Sequence, residues 1–322
     1  MPGTRSVASR PVREVAPPTI EDVRAAQERL RDVLEPTPTV SSPKLDALLK
    51  LETLQPTGSF KVRGAIAALT ALARGERVVT ASAGNHGLAL AWAAERLEID
   101  ATVVVAETAS EAKVEAIRRL PARLVVHGAG FDEAERHALE LAAAEGARYI
   151  SAYNDREVIA GQGTLGLELL DTLGPGITIV CPVGGGGLAG GVGLAASASG
   201  ARVVGVVAAA SPAMRAALDA GGIVEVEVRD TLADGLAGNI EPGSVTFDLV
   251  REHVEDVVAV DEPEIAAAMQ FLAQEQGLVA EGSGGVAVAA ILAGRVERRG
   301  TLVAVVSGRN VTDEVLTRVL RA

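Results

Sequence analysis

The chain has 322 residues, a formal net charge of −12, and a composition 48% hydrophobic but only 2% aromatic. An acidic chain with no clustered run of Lys and Arg is a poor match for nucleic-acid phosphates. No stretch approaches the roughly 18 apolar residues of a membrane span, and the length, with a Val-, Ala-, Leu- and Ile-built interior, favours two packed α/β lobes.

The N-terminal MPGTRSVASRPVREVAPP is basic without an apolar segment and reads as a loose arm, not a secretory signal. The single Cys181 has no partner for an internal disulfide and, ending an apolar strand, reads as a buried inert thiol. Both favour a cytoplasmic protein. Thr19 and Asp22 have capping-box spacing at the start of a helix that Pro36 is expected to close. DALLKLETLQP then reads as a strand.

From there strand-like runs alternate with helical ones. RVVTAS, ATVVVA, ARLVVH and ARYISA, interleaved with helices such as SEAKVEAIRRL and FDEAERHALELAAAEG, make one compact series. ITIVCPV, ARVVGVV, DVVAV and TLVAVVS make a second, interrupted by an irregular span from Gly221 to Ser244. The expected architecture is two doubly wound, mostly parallel α/β domains, with the first strand and the arm crossing back to the second series. Residues 76–151 are expected to form the small domain, and 1–75 with 152–322 the large one.

In open parallel sheets ligands bind beyond the C-terminal ends of the strands, and four clusters fall there. PVGGGGLAGG (182–191) follows a strand and opens a helix, so its amides can converge on an anion. No acid ends the following strand to hold a ribose, and Leu188 stands where a P-loop has its lysine, which leaves a site for one phosphate. TASAGNHG offers Ser82, Gly84, Asn85 and His86 in a turn suited to a carboxylate or phenolate, or to ordinary capping. SGRN, with Ser307 and Asn310, reads equally as caps, and Asp234 and Gly235 of LADGLAG equally as a turn.

The remaining motif is TGSFKVRGA, where Lys61 opens an apolar helix. Capping by Thr57 with a solvated lysine is the bland reading; beside a monophosphate site and a ring-sized slot, a low-titrating nucleophilic Lys61 is the sharper one.

These motifs are similar to those of the threonine dehydratase and serine racemase group of pyridoxal-phosphate enzymes. LETLQPTGSFKVRGA, ASAGNHG, GQGTLGLEL, PVGGGGLAGG, ADGLAG and SGRN occur in the group's order over nearly the whole chain from Glu35. The resemblance implies a fold type II enzyme with pyridoxal 5′-phosphate between the domains, joined to Lys61. It places Phe60 beside the ring, Gly235 on its other face, Asn85 at the ring hydroxyl and Ser307 at the ring nitrogen. Gly184, Gly185, Gly186, Gly187 and Leu188 correspond to the phosphate loop; Ser82, Ala83, Gly84, Asn85 and His86 correspond to the loop receiving the substrate carboxylate.

The activity implied is β-elimination from a β-hydroxy amino acid such as L-threonine or L-serine, giving a 2-keto acid and ammonia, by an enzyme expected to be a homodimer. Alternatives are a β-replacement or threonine synthase-like transferase, a serine racemase, or a cofactor-binding sensor without turnover. Ala83 stands where racemases have a second-face serine. Val207 and Ala213 occupy the positions of the group's cation-binding carboxylates, so no metal is carried over. Arg309 replaces a glycine and Leu88 a glutamine. The chain stops soon after SGRN, which implies no regulatory domain. Glu281 matches a glutamate near the cofactor or is a surface helix acid. The GQGT stretch is expected to relieve crowding of its helix against the sheet.

Overall fold

A computed structural model describes residues 13–321, so most of the basic arm lies outside the described residues. Helix α1 (Ile20–Leu30) begins with the expected capping box: Thr19 Oγ accepts from the Asp22 amide, and the Asp22 carboxylate accepts from the Thr19 amide. The helix ends at Arg31, well before Pro36. The Val33 and Leu34 amides both turn back to the Leu30 carbonyl, and burial of Leu30 and Leu34 fixes that turn.

Strand β1 (Thr39–Ser42), short and mostly polar, has no sequence signature and is fixed by antiparallel pairing with β2 (Ala47–Leu51). The expected strand stops at Leu51, because Glu52–Leu54 turns as a 3-10 helix that carries the Glu52 carboxylate to Arg63. Helix α2 (Lys61–Thr70) follows.

The small sheet contains β3 (Val78–Ala81), β4 (Ala101–Val105), β5 (Arg123–Val126) and β6 (Arg148–Tyr149), all parallel, in the order β5-β4-β3-β6. Helices α3 (Asn85–Leu97), α4 (Glu111–Arg118) and α5 (Phe131–Glu145) connect them. Helix α6 (Arg156–Leu173) leads into the second series: β7 (Ile177–Pro182), α7 (Gly187–Ser197), β8 (Arg202–Ala208), α8 (Ala213–Ala220), α9 (Val245–His253), β9 (Asp256–Val260), α10 (Glu262–Gln276), α11 (Gly282–Leu292), β10 (Thr301–Val306) and α12 (Asp313–Arg321). This sheet runs β1-β2-β10-β7-β8-β9 and is parallel except for β1. The first strands therefore cross back to it as expected, and 221–244 is irregular apart from one 3-10 turn.

The glycines of α6 relieve crowding between helices, not against a sheet. A Cβ on Gly161 would lie 2.7 Å from the Arg63 carbonyl and the Ala67 side chain of α2. On Gly163 it would meet Val23 of α1 and the Gly191 carbonyl of α7. Strand order reverses between β10 and β7, and again between β3 and β6. Ligands of doubly wound sheets sit at such switch points; the loops after β7, β10 and β3 carry three of the four predicted clusters and the loop after β2 leads to Lys61, whereas Asp234 and Gly235 follow α8 and not a strand.

Candidate active site

Lys61 is the first residue of α2, and no side chain caps that helix, so the reading of Thr57 as its cap does not hold. The lysine turns inward. Its Nζ donates to the Ala152 carbonyl over 2.7 Å and lies 5.2 Å from the centre of the Phe60 ring. Burial disfavours the ammonium and lowers its pKa to about 8, against an opposing pull from Glu281. A buried amine of this kind is nucleophilic near neutral pH.

The loop after β10 is stitched to the loop before Lys61. Phe60 N donates to the Ser307 carbonyl at 3.0 Å, Arg309 N to the Gly58 carbonyl at 2.9 Å, and Ser59 bridges Gly308. Ser307 is buried and caps no helix; its Oγ faces the Ser283 carbonyl at 3.4 Å. Ser283 Oγ in turn accepts from Gly235 N at 2.9 Å. Asn310 is not a cap either: it donates to the Thr57 carbonyl at 2.9 Å and to Asn85 Oδ1 at 2.6 Å.

The glycine turn sits against these same segments. A Cβ on Gly184 would press on Leu236 and one on Gly185 would enter the Tyr153 ring, while Gly187 backs onto the Tyr153 main chain. Gly186, at φ 89°, is the left-handed N-cap of α7. The first-turn amides of α7 have no intrahelical acceptor, and the half-positive end of the helix points into this cradle. Leu188 is buried in the core below it. Tyr153 follows Ala152, so one loop touches both the lysine amine and the turn. The cradle has no side chains of its own and fits a phosphate.

On the opposite side, Ser82 Oγ accepts from Gly84 N at 3.2 Å, and α3 begins at Asn85 without a side-chain cap. Gly87 is obligatory, because a Cβ there would collide with the Ser82 carbonyl. His86 Nε2 faces the Ile150 carbonyl at 3.4 Å. Burial, reinforced by the Lys61 charge, pushes its pKa down to about 3, so the imidazole is neutral. Ala83 and Leu88 pack on the small-sheet cluster of Val103, Val105 and Ile117, whereas Arg309 is exposed.

Glu281 is not a surface acid. It is 5% exposed and accepts from Asn85 Nδ2 at 2.7 Å. Burial raises its pKa to about 7, aided by the Asp234 charge. A cavity of about 410 Å³ opens beside Glu281, Gly282 and Asn310. Lys113 of α4 reaches across to Asp234, tying the small sheet's side to the 3-10 turn 234–236. Val207 and Ala213 lie in the apolar core. Among the described residues there is no group of three or more His, Cys, Asp or Glu placed to hold a metal. Sequence reasoning missed Tyr153, Ser283 and the Ala152 carbonyl; only the need of four glycines for a neighbour hinted at the first.

A desolvated lysine held on the loop that also backs a glycine turn, in a chain with two parallel doubly wound sheets, is the arrangement expected of a fold type II pyridoxal-phosphate enzyme. The chain belongs to the family described as Pyridoxal-phosphate dependent enzyme, matched over residues 30–308. It is 41% identical to an L-threonine ammonia-lyase of Thermotoga maritima over 94% of this chain and 78% of that one. Among solved structures, maize serine racemase superposes with a TM-score of 0.88 at 31% identity, covering 95% of this chain and 98% of that one. The threonine deaminase of T.th. gives 0.85 at 35% identity, covering 92% and 99%.

Proposed function

We propose that this protein is an ammonia-lyase: it dehydrates and deaminates a β-hydroxy amino acid such as L-threonine or L-serine to a 2-keto acid and ammonia. The observation that carries the reading is the Lys61 amine, its pKa lowered to about 8, held on the Ala152 carbonyl of the loop whose next residue, Tyr153, packs against Gly185 and Gly187. The relatives named threonine ammonia-lyase and threonine deaminase support the reaction.

When bound, pyridoxal 5′-phosphate supplies an electron sink for charge left at the substrate Cα. In this reading Lys61 would hold the cofactor, and its amine would serve as the base for the substrate's Cα proton. The amides of Gly184, Gly185, Gly186, Gly187 and Leu188 grip its phosphate. Phe60 and Gly235 would flank the ring, Asn85 would meet the ring hydroxyl, and the Ser307 hydroxyl would meet the ring nitrogen. A neutral hydroxyl there, in place of a carboxylate, would suit loss of the β-hydroxyl rather than return of a proton to Cα. Ser82, Ala83, Gly84, Asn85 and His86 receive the carboxylate, with Ala83 offering no proton to the far face of Cα.

The same reading makes 76–151 the small domain, and 1–75 with 152–322 the large one; it also expects a cytoplasmic homodimer. Support for the boundary is that every strand of the small sheet falls between Val78 and Tyr149. Light scattering of the purified protein tests the dimer. The decisive assay is keto-acid release from L-threonine and L-serine by cofactor-loaded protein, with Lys61→Ala as control. No keto acid from either substrate despite bound cofactor overturns the proposal, and D-serine formed as fast as pyruvate overturns the role given to Ala83.

A further inference from the structure

Behind the glycine turn, three distant parts of the chain meet. Arg13 Nη2 donates to Glu241 Oε1 at 2.6 Å and lies 3.4 Å from the Asn154 carbonyl, and its guanidinium lies 5.1 Å from the centre of the Tyr149 ring. Asn154 Nδ2 donates to the same Glu241 oxygen. The Glu241 amide donates to the Tyr153 hydroxyl at 3.0 Å, and the Val245 amide to Asn154 Oδ1 at 3.2 Å. Thr246 Oγ1 donates to the Gly185 carbonyl at 2.6 Å. Glu241 and Asn154 are 8% and 1% exposed.

We infer that Arg13 is a positioning residue for the turn: by clasping Glu241 and Asn154 it keeps Tyr153 seated against Gly185 and Gly187. Four consecutive glycines have no side chains to define their own shape. The turn therefore takes its shape from what it leans on, which is the Tyr153 ring and main chain on one side and Thr246 on the other. Tyr153 is anchored at its hydroxyl by the Glu241 backbone. Glu241, buried and paired with Arg13 and Asn154, stays dry and in place only while that cation and amide satisfy it. Removing Arg13 leaves that carboxylate to draw in water, which loosens the Asn154 clasp and frees the ring. Arg13 is thus coupled to the turn through Glu241, Asn154 and Tyr153. The inference rests on the proposal that this turn grips the cofactor's phosphate.

The test compares pyridoxal 5′-phosphate with pyridoxal, which lacks the phosphate. Dissociation constants of both are measured by absorbance on apoprotein of the wild type, Arg13→Ala, Arg13→Lys and Glu241→Gln. The wild type prefers the phosphorylated form; Arg13→Ala loses at least about fivefold of that preference while its affinity for pyridoxal changes less than about twofold. Arg13→Lys restores part of the preference, and Glu241→Gln weakens it. A wild type with no preference overturns the phosphate turn itself. Preference intact in Arg13→Ala, or affinity lost equally for both compounds, overturns the role of Arg13 alone.

Discussion

Lys61 donates from Nζ to the Ala152 carbonyl at 2.7 Å, across 91 positions of sequence. The contact seats the reactive amine on the same loop that carries Tyr153 to the glycine turn, so nucleophile and anion cradle share one support. With a pKa of about 8, about a tenth of the amine is neutral at pH 7, against less than about one part in a thousand for an ordinary lysine.

The apoprotein's combination with pyridoxal 5′-phosphate should therefore speed up about tenfold per pH unit below pH 8 and level off above it. Stopped-flow absorbance checks this, and a rate still climbing at pH 10 would place the amine in solvent. Lys61→Ala should retain the fold and lose keto-acid release by at least about a thousandfold.

At Gly185 a methyl has nowhere to go, because the Tyr153 ring fills the position. Gly185→Ala should weaken cofactor retention at least about tenfold. Trimming the ring in Gly185→Ala/Tyr153→Leu should recover part of it, since the clash is with a side chain. Equilibrium dialysis measures both, and an unaffected single variant would mean that the turn lies away from the bound cofactor.

Most strands of both sheets were legible, because their Val- and Ile-rich runs are buried on both faces and separated by helices of period 3.6. The site motifs were legible because glycines and lone polar residues punctuate strand ends. What escaped were partners set only by topology. Asn310 reads as a cap until Asn85, 225 positions away, is brought against it. Glu281 reads as either a surface acid or a site glutamate until Asn85 and Gly308 cover it. β1 escaped for the same reason: TVSS becomes a strand only when β2 is beside it.

Glu281 yields a stability prediction whose sign follows from its raised pKa of about 7. Between pH 4.5 and 7 the folded state keeps a proton that the unfolded state has lost, so this group subtracts stability as pH rises through that window. Glu281→Gln, which can still accept from Asn85, removes the penalty. The variant apoprotein should be more stable than wild type at pH 8 by on the order of 3 kcal/mol, and equal to it near pH 4. Urea titrations at the two pH values decide it; a gain of the same size at both would deny the titration.

A final prediction concerns the buried charges behind Lys61. Arg63 is 1% exposed and pairs with Glu52 at 2.7 Å and Glu168 at 2.6 Å; Lys50 also binds Glu168, at 2.7 Å. The cluster joins β2, the turn after it, α2 and α6, fixing the frame from which Lys61 projects. Burial works to raise the Glu52 pKa, but the Arg63 charge and hydrogen bonds, with those of Thr37, hold it below 4.5. Glu52 thus contributes stability that is present above pH 4.5 and lost as pH falls through its folded pKa. Arg63→Met keeps the volume and removes the cation, at a cost of about 3–5 kcal/mol at pH 7 for the carboxylate left behind. It should also invert the pH response: Glu52 is then buried without its main counter-charge and its pKa rises above 4.5. The variant should accordingly gain stability on acidification from pH 7 toward 4.5, where wild type gains none from this group. Pairing the variant with Glu52→Gln should recover much of the loss and abolish the inverted slope, because the charge that Arg63 neutralised is gone.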